Sequence, residues 1–118
     1  MQKKERPLGK NREERANKVL EERGVKVHYF VPSGREIVTV LGNEGDSLVS
    51  YGNEKTHSYC SCDDFYFRVQ SGSVPECYHL IAVRRALQNG QYSKISFADE
   101  EFVSFIKALV KDVFSHIS

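Results

Sequence analysis

The chain has 118 residues, a formal net charge of +1, three cysteines and no tryptophan, enough for one domain whose modest core stands to gain from a metal or a partner. No apolar run approaches the ~20 residues of a membrane span, and no signal-like apolar segment follows the charged start "MQKKERPLGKNREE", so the chain reads as soluble, cytoplasmic or otherwise intracellular, with no membrane role. Three cysteines cannot all pair within one chain, which sets aside a disulfide framework in favour of reduced thiols.

The near-neutral total hides an asymmetry. Residues 1–26 hold nine Lys/Arg against five Glu, whereas residues 27–118 hold eight against eleven acidic residues. A flexible basic arm over residues 1–10, with Lys3, Lys4, Arg6 and Lys10, is therefore expected ahead of a single domain over 11–118. Such an arm suits a polyanion, although a solvated tail and helix face explains the same charges.

Taken in order, "GKNREERANKVLEERG" is rich in helix formers, with Asn11 as cap, Gly24 as stop and Ala16, Val19 and Leu20 as an apolar stripe. "VKVHYFV" then changes the period to two, "PSGR" turns the chain, and "EIVTVLG" supplies a second strand. "DSLVSYG" reads as a third strand and "THSYCSC" as a fourth. The turns are too short for crossover helices, so the expected product is an antiparallel meander. "DDFYFRVQSGSVPE" forms a turn or short strand and a loop, with Phe65 and Phe67 on one face under any site and Tyr66 on the other. "ECYHLIAVRRALQNG" is a helix entered near Pro75 and ended by Asn89-Gly90, and a last helix starts near Ser96 or Asp99. The fold class is α+β: a small meander with a metal-stapled strand and helix, flanked by N- and C-terminal helices.

All three cysteines fall within residues 60–77, as C-x-C, fourteen intervening residues, then C-x-H. Cys60, Cys62, Cys77 and His79 offer three soft thiolates and an imidazole, a full tetrahedral set for Zn2+. Period two puts Cys60 and Cys62 on one strand face. In a regular helix Cys77 and His79 would point roughly 200° apart, so Cys77 belongs at the cap, where a helix N-terminus also favours a thiolate. Four protein ligands leave no open position for water, which makes the zinc structural and the protein no enzyme. Buried apolar cysteines, or a nucleophilic cysteine paired with His79, stand as alternatives; the latter lacks an orienting third group. Asp63 and Asp64 fit a turn cap or an outer hydrogen bond, and Tyr78 fits a structural place better than base stacking.

These four residues, with "CDDFYFR" after the first pair, resemble the SWIM-type zinc finger, which would cover about residues 56–87. Ala82 completes C-x-H-x-x-A, similar to the extended signature of SWIM-domain proteins of homologous recombination; three residues beyond His79 it shares the ligand-bearing face, where a small side chain fits between helix and sheet. The resemblance implies a zinc-binding adaptor for DNA repair, partnered by a recombinase-like ATPase paralog. A nucleic-acid-binding zinc module without that partner, or a Cys/His thiol enzyme, is the alternative.

For single- or double-stranded DNA bound without sequence specificity, the candidates are Lys3, Lys4, Arg6, Lys10 and Arg12, with Arg68, Arg84 and Arg85 around the finger. For a protein partner, the last helix carries a core stripe of Phe102, Phe105, Ile106, Leu109 and Val113. A surplus at Val103, Val110, Phe114 and Ile117 could meet that partner or a second copy in a homodimer.

Overall fold

Val25, Val27, Val38, Val40 and Val49 occupy alternate positions of three successive β-branched runs, so pairing those runs gathers them on one face. The computed structural model, which describes residues 8–42, 45–52 and 58–115 with the side chains of 8–10 and 113–115 left aside, shows that pairing. Strands β1 (Val25–Val31), β2 (Arg35–Gly42), β3 (Gly45–Ser50) and β4 (Tyr59–Cys60) form the expected antiparallel meander. Val27 lies opposite Val38, Val38 opposite Val49, and Val49 opposite Cys60. One row of side chains thus crosses four strands and ends on a thiol.

A fifth strand, β5 (Ser93–Ala98), pairs in parallel with β1 and makes the sheet mixed, in the order β4-β3-β2-β1-β5. Of the two expected starts of the last helix, Ser96 falls inside this strand, whereas Asp99 opens the turn that leads into the helix. Ile95 and Phe97 alternate in "SKISFA" and meet the open edge of β1, which Phe97 helps to close by stacking on Phe30 at 5.3 Å. The last helix, α3 (Phe102–Ser115), begins after a single 3-10 turn at Asp99–Glu101.

Helices α1 (Leu8–Glu21) and α2 (Tyr78–Asn89) cover the valine face, where Ala16, Val19 and Leu20 join Leu80, Val83 and Ala86 in one core with Val25, Val40 and Val49. The opposite face of β1 carries His28 and Phe30, and α3 packs there through Phe105, 4.6 Å from His28, and Phe102, 5.0 Å from Phe30. No helix among the described residues is long and apolar enough to cross a membrane.

Two details of α1 differ from expectation. It starts at Leu8, so residues 8–10 of the expected arm are helical. Its end is a Schellman closure, with Gly24 N–H donating to Val19 O at 2.9 Å and Arg23 N–H to Leu20 O at 3.1 Å, and the left-handed residue is Arg23 (φ 54°). Gly24 matters instead for close approach: a Cβ there would stand 3.0 Å from Val19 Cγ1 and 3.1 Å from Leu41 Cβ. Helix α2 ends as expected, with Gly90 left-handed (φ 72°).

Candidate metal centre

The valine row delivers Cys60 to the buried face at the sheet edge. Cys62 arrives by another route than expected, because β4 ends at Cys60 and strand alternation no longer applies. The chain bends after Cys60 into a helical segment whose π-helical part is Phe65–Val69, and Phe65 N–H donates to Cys62 Sγ at 3.4 Å. Cys77 is the N-cap of α2, in extended conformation (φ −79°, ψ 169°), and His79 lies in the first turn. That break from helical geometry is what lets two residues at x+2 spacing face the same point.

The ligand atoms of Cys60, Cys62, Cys77 and His79 all lie within 4.8 Å of one another, and the four residues could hold a metal ion. A regular tetrahedron with metal–sulfur bonds near 2.3 Å has sulfurs about 3.8 Å apart, so closure asks for a contraction of about 1 Å at most. His79 adds an independent test of fit. Its Nδ1 is buried without a hydrogen-bond partner, while Nε2 stands 3.4 Å from Ser47 Oγ. A buried imidazole nitrogen left bare is costly, and an ion held through Nδ1 would satisfy it, with Nε2–H donating to the serine.

The thiols perturb one another strongly. Hydrogen bonding from Cys60 holds Cys62 well below the usual thiol range, and donating that bond raises Cys60. At Cys77 a hydrogen bond from Cys60 acts downward, but donation to Cys62 and burial outweigh it, and the thiol is pushed up to about 12. At neutral pH an entering ion must therefore displace protons from Cys60 and Cys77. Apparent metal affinity should rise with pH through the neutral range, because binding releases thiol protons. Competition against a chromophoric chelator at several pH values measures this; a pH-independent affinity would contradict it.

The neighbourhood is built for close packing. The Tyr78 ring lies 4.0 Å from that of His79, with the Arg15 guanidinium carbon 4.3 Å from the centre of the tyrosine ring, so this buried tyrosine is held by packing on both sides. Gly42, at the end of β2, leaves room for the histidine: a Cβ there would stand 3.3 Å from His79 Nε2 and 3.0 Å from Gly45 O. Ala82 is fully buried within the core, as a small residue between helix and sheet should be.

Sequence reasoning did not foresee what fastens α1 to the Cys62 turn. Arg12 is only 6% exposed, and its Nε and Nη2 donate to the two carboxylate oxygens of Asp64 at 2.8 and 2.6 Å. The signal available was a basic residue on the same helix stripe as Ala16 and Val19, paired with an acid two residues after a ligand cysteine. Arg12, one of the cations named for nucleic acid, is thus engaged by a carboxylate inside the molecule. Arg84 likewise pairs with Glu76 at 2.8 Å, and Arg85 reaches Asn17 at 2.7 Å, joining α2 to α1. Arg68 remains half-exposed, 3.4 Å from Asp64. Lys3, Lys4, Arg6 and Ile117 lie outside the described residues, as do the side chains of Lys10 and Phe114. Val103 and Val110 stand out from α3, 61% and 43% exposed. The aromatic face expected of Phe65 and Phe67 does not form, because a π-helical turn replaces a strand: Phe65 packs against the core, while Tyr66 and Phe67 both face solvent.

Comparison with protein-family models, with curated proteins and with solved structures finds no match. The centre therefore stands on its own chemistry.

Proposed function

We propose that the chain is a non-catalytic adaptor organised by one structural zinc ion, of the SWIM type. The observation that carries this reading is the convergence of three sulfurs and one imidazole from the sheet edge, the following turn and the cap of α2. Cys60, Cys62, Cys77 and His79 would hold the ion, which supplies a crosslink between elements that few other contacts join. A closed set of four protein ligands favours zinc in a structural role, since thiolate and imidazole donors suit it and no position remains for a substrate. A thiol enzyme would need an orienting group on His79, and the contact at its Nε2 is a serine hydroxyl at 3.4 Å.

The placing of this adaptor among recombinase-paralog and DNA assemblies of homologous recombination rests on the resemblance of C-x-C…C-x-H-x-x-A. Its protein contact is assigned to α3, whose inner face is engaged with the sheet while Val103 and Val110, seven residues apart, share the outer one. Burying each could contribute about 1.5 kcal/mol or more before ordering costs. Native mass measurement of affinity-isolated complexes tests the reading: a recombinase-like ATPase should be recovered with the zinc-loaded chain. Val103→Ser with Val110→Ser should weaken that complex more than about tenfold, near 1.4 kcal/mol, at unchanged zinc content and helical signal. Unchanged affinity would remove this face from the interface, and a homodimer recovered in place of the ATPase would assign it to self-association.

A further inference from the structure

A cleft lies on the face of the sheet turned away from the cysteines. Antiparallel pairing puts His28 of β1, Thr39 of β2 and Asp46 of β3 on the side where α3 packs, and there sheet and helix leave about 370 Å³ between them. Small-molecule sites begin near that size, at about 300 Å³. Phe105 and Leu109 of α3 give the cleft an apolar wall, while Thr39, His28, Asp46 and Asp112 supply its polar groups.

One of these groups lacks a partner. Thr39 is only 2% exposed, and its Oγ1 is buried without a hydrogen bond. Among the described residues the other such side-chain atom is His79 Nδ1, which a metal ion would satisfy. A buried hydroxyl left bare is costly, so a ligand that enters the cleft and bonds to Thr39 supplies what the protein itself does not.

The remaining groups indicate its chemistry. His28 Nδ1 stands 3.0 Å from Ile37 O, which can only accept, so Nδ1 carries the hydrogen and Nε2 of the neutral ring is an acceptor. Asp46 is half-buried, and its carboxylate makes no hydrogen bond or ion pair among the described residues. Asp112 adds a second carboxylate at the exposed rim. No Lys or Arg lines the cleft; Lys26, opposite Thr39 in the register, is not part of its wall. Acceptors and negative charge call for a cationic donor. A bare metal ion does not suit them, because among the described residues only the Cys/His cluster brings three or more ligating side chains close enough to hold one. An organic cation can bridge acceptors set further apart and lay its stem against Phe105 and Leu109. A quaternary ammonium has no N–H for Thr39 or His28, whereas a primary ammonium has three.

We propose that this cleft binds a primary ammonium group on an apolar stem, with Thr39, His28 and Asp46 receiving its N–H groups. The site is independent of the zinc-adaptor reading, and its test does not involve the cysteines. Amide chemical shifts of the full, metal-loaded chain are followed while phenethylamine is added. Saturable shifts should fall on β2, β3 and α3 around the cleft. Phenethylamine should bind at least about tenfold more tightly than its N,N,N-trimethyl derivative, which keeps the charge and stem but has no N–H, and than 2-phenylethanol, which has no charge. Asp46→Asn should weaken binding about tenfold at unchanged thermal transition. Thr39→Val, of similar shape, should also weaken binding yet leave the transition as high or higher, because it removes the bare hydroxyl. A role for Thr39 in folding alone would lower the transition and spare the affinity. Glycine-flanked lysine and acetyl-lysine peptides identify the source of the ammonium: displacement of phenethylamine by the lysine peptide alone would assign the cleft to a partner's lysine, and displacement by neither would assign it to a free amine. Absence of saturable shifts at millimolar phenethylamine, equal affinity for the trimethyl derivative, or full affinity in both variants would each overturn the proposal.

Discussion

Cys77→Ser should yield a chain that holds no stoichiometric metal and has lost its cooperative thermal transition. Cys77 is fully buried and contributes to the core as well as to the Cys/His cluster that could hold a metal ion. A buried hydroxyl in place of a thiol would by itself cost about 1–3 kcal/mol. Structural zinc sites contribute about 10–16 kcal/mol of apparent binding energy that is coupled to folding, against a net stability of about 5–15 kcal/mol for a whole domain. Loss of the ion is thus the larger effect, and it decides the outcome. Chelator separates the two contributions: the unaltered chain should lose its transition when chelator is added, whereas the variant should show no further change. Calorimetry with and without chelator makes the comparison. A variant that melts only a few degrees lower, beside an unaltered chain indifferent to chelator, would reduce Cys77 to a packing residue.

Arg12→Ala should cost about 2–3 kcal/mol and loosen α1 before the sheet. Removing one partner of a fully buried ion pair costs about 3–5 kcal/mol and of an exposed pair about 1 or less; here the arginine is buried but Asp64 keeps a quarter of its side-chain exposure, which places the pair between those limits. The geometry is bidentate, so Arg12→Lys should recover only part of the loss. Hydrogen exchange should show amides of α1 losing protection while those of β1 and β2 keep theirs. Asp64→Ala should produce the same pattern, and the two substitutions together should cost less than their sum. Additive costs, or unchanged protection in α1, would show that the contact does not fasten the helix to the Cys62 turn.

The clustering of Cys60, Cys62, Cys77 and His79 was legible in the sequence because its signal is chemical: soft donors gathered in one short part of the chain have few other uses. The extended N-cap at Cys77 was readable for a geometric reason, since x+2 spacing cannot converge within a helix. Cys62 shows the limit of such reasoning. Alternation put it beside Cys60 on a strand, but the strand stops at Cys60 and a π-helical segment brings the sulfur round. Local pattern could not show that stop, because "CDDFYFR" alternates well enough for a strand, whereas in the fold Phe65 packs against the core from a π-helical turn. Strand β5 was hidden for a similar reason, its value lying in the distant edge of β1. The arginines mark a third limit. Charge counts identify cations, but whether Arg12 faces phosphate or Asp64 depends on a pairing across 52 residues.

The most direct measurement of the central claim is X-ray absorption at the zinc edge, with elemental analysis, on the purified chain in its native fold. One zinc per chain coordinated by three sulfurs and one nitrogen is the predicted result. A natively folded chain without metal, or an ion bound mainly by oxygen, would contradict it.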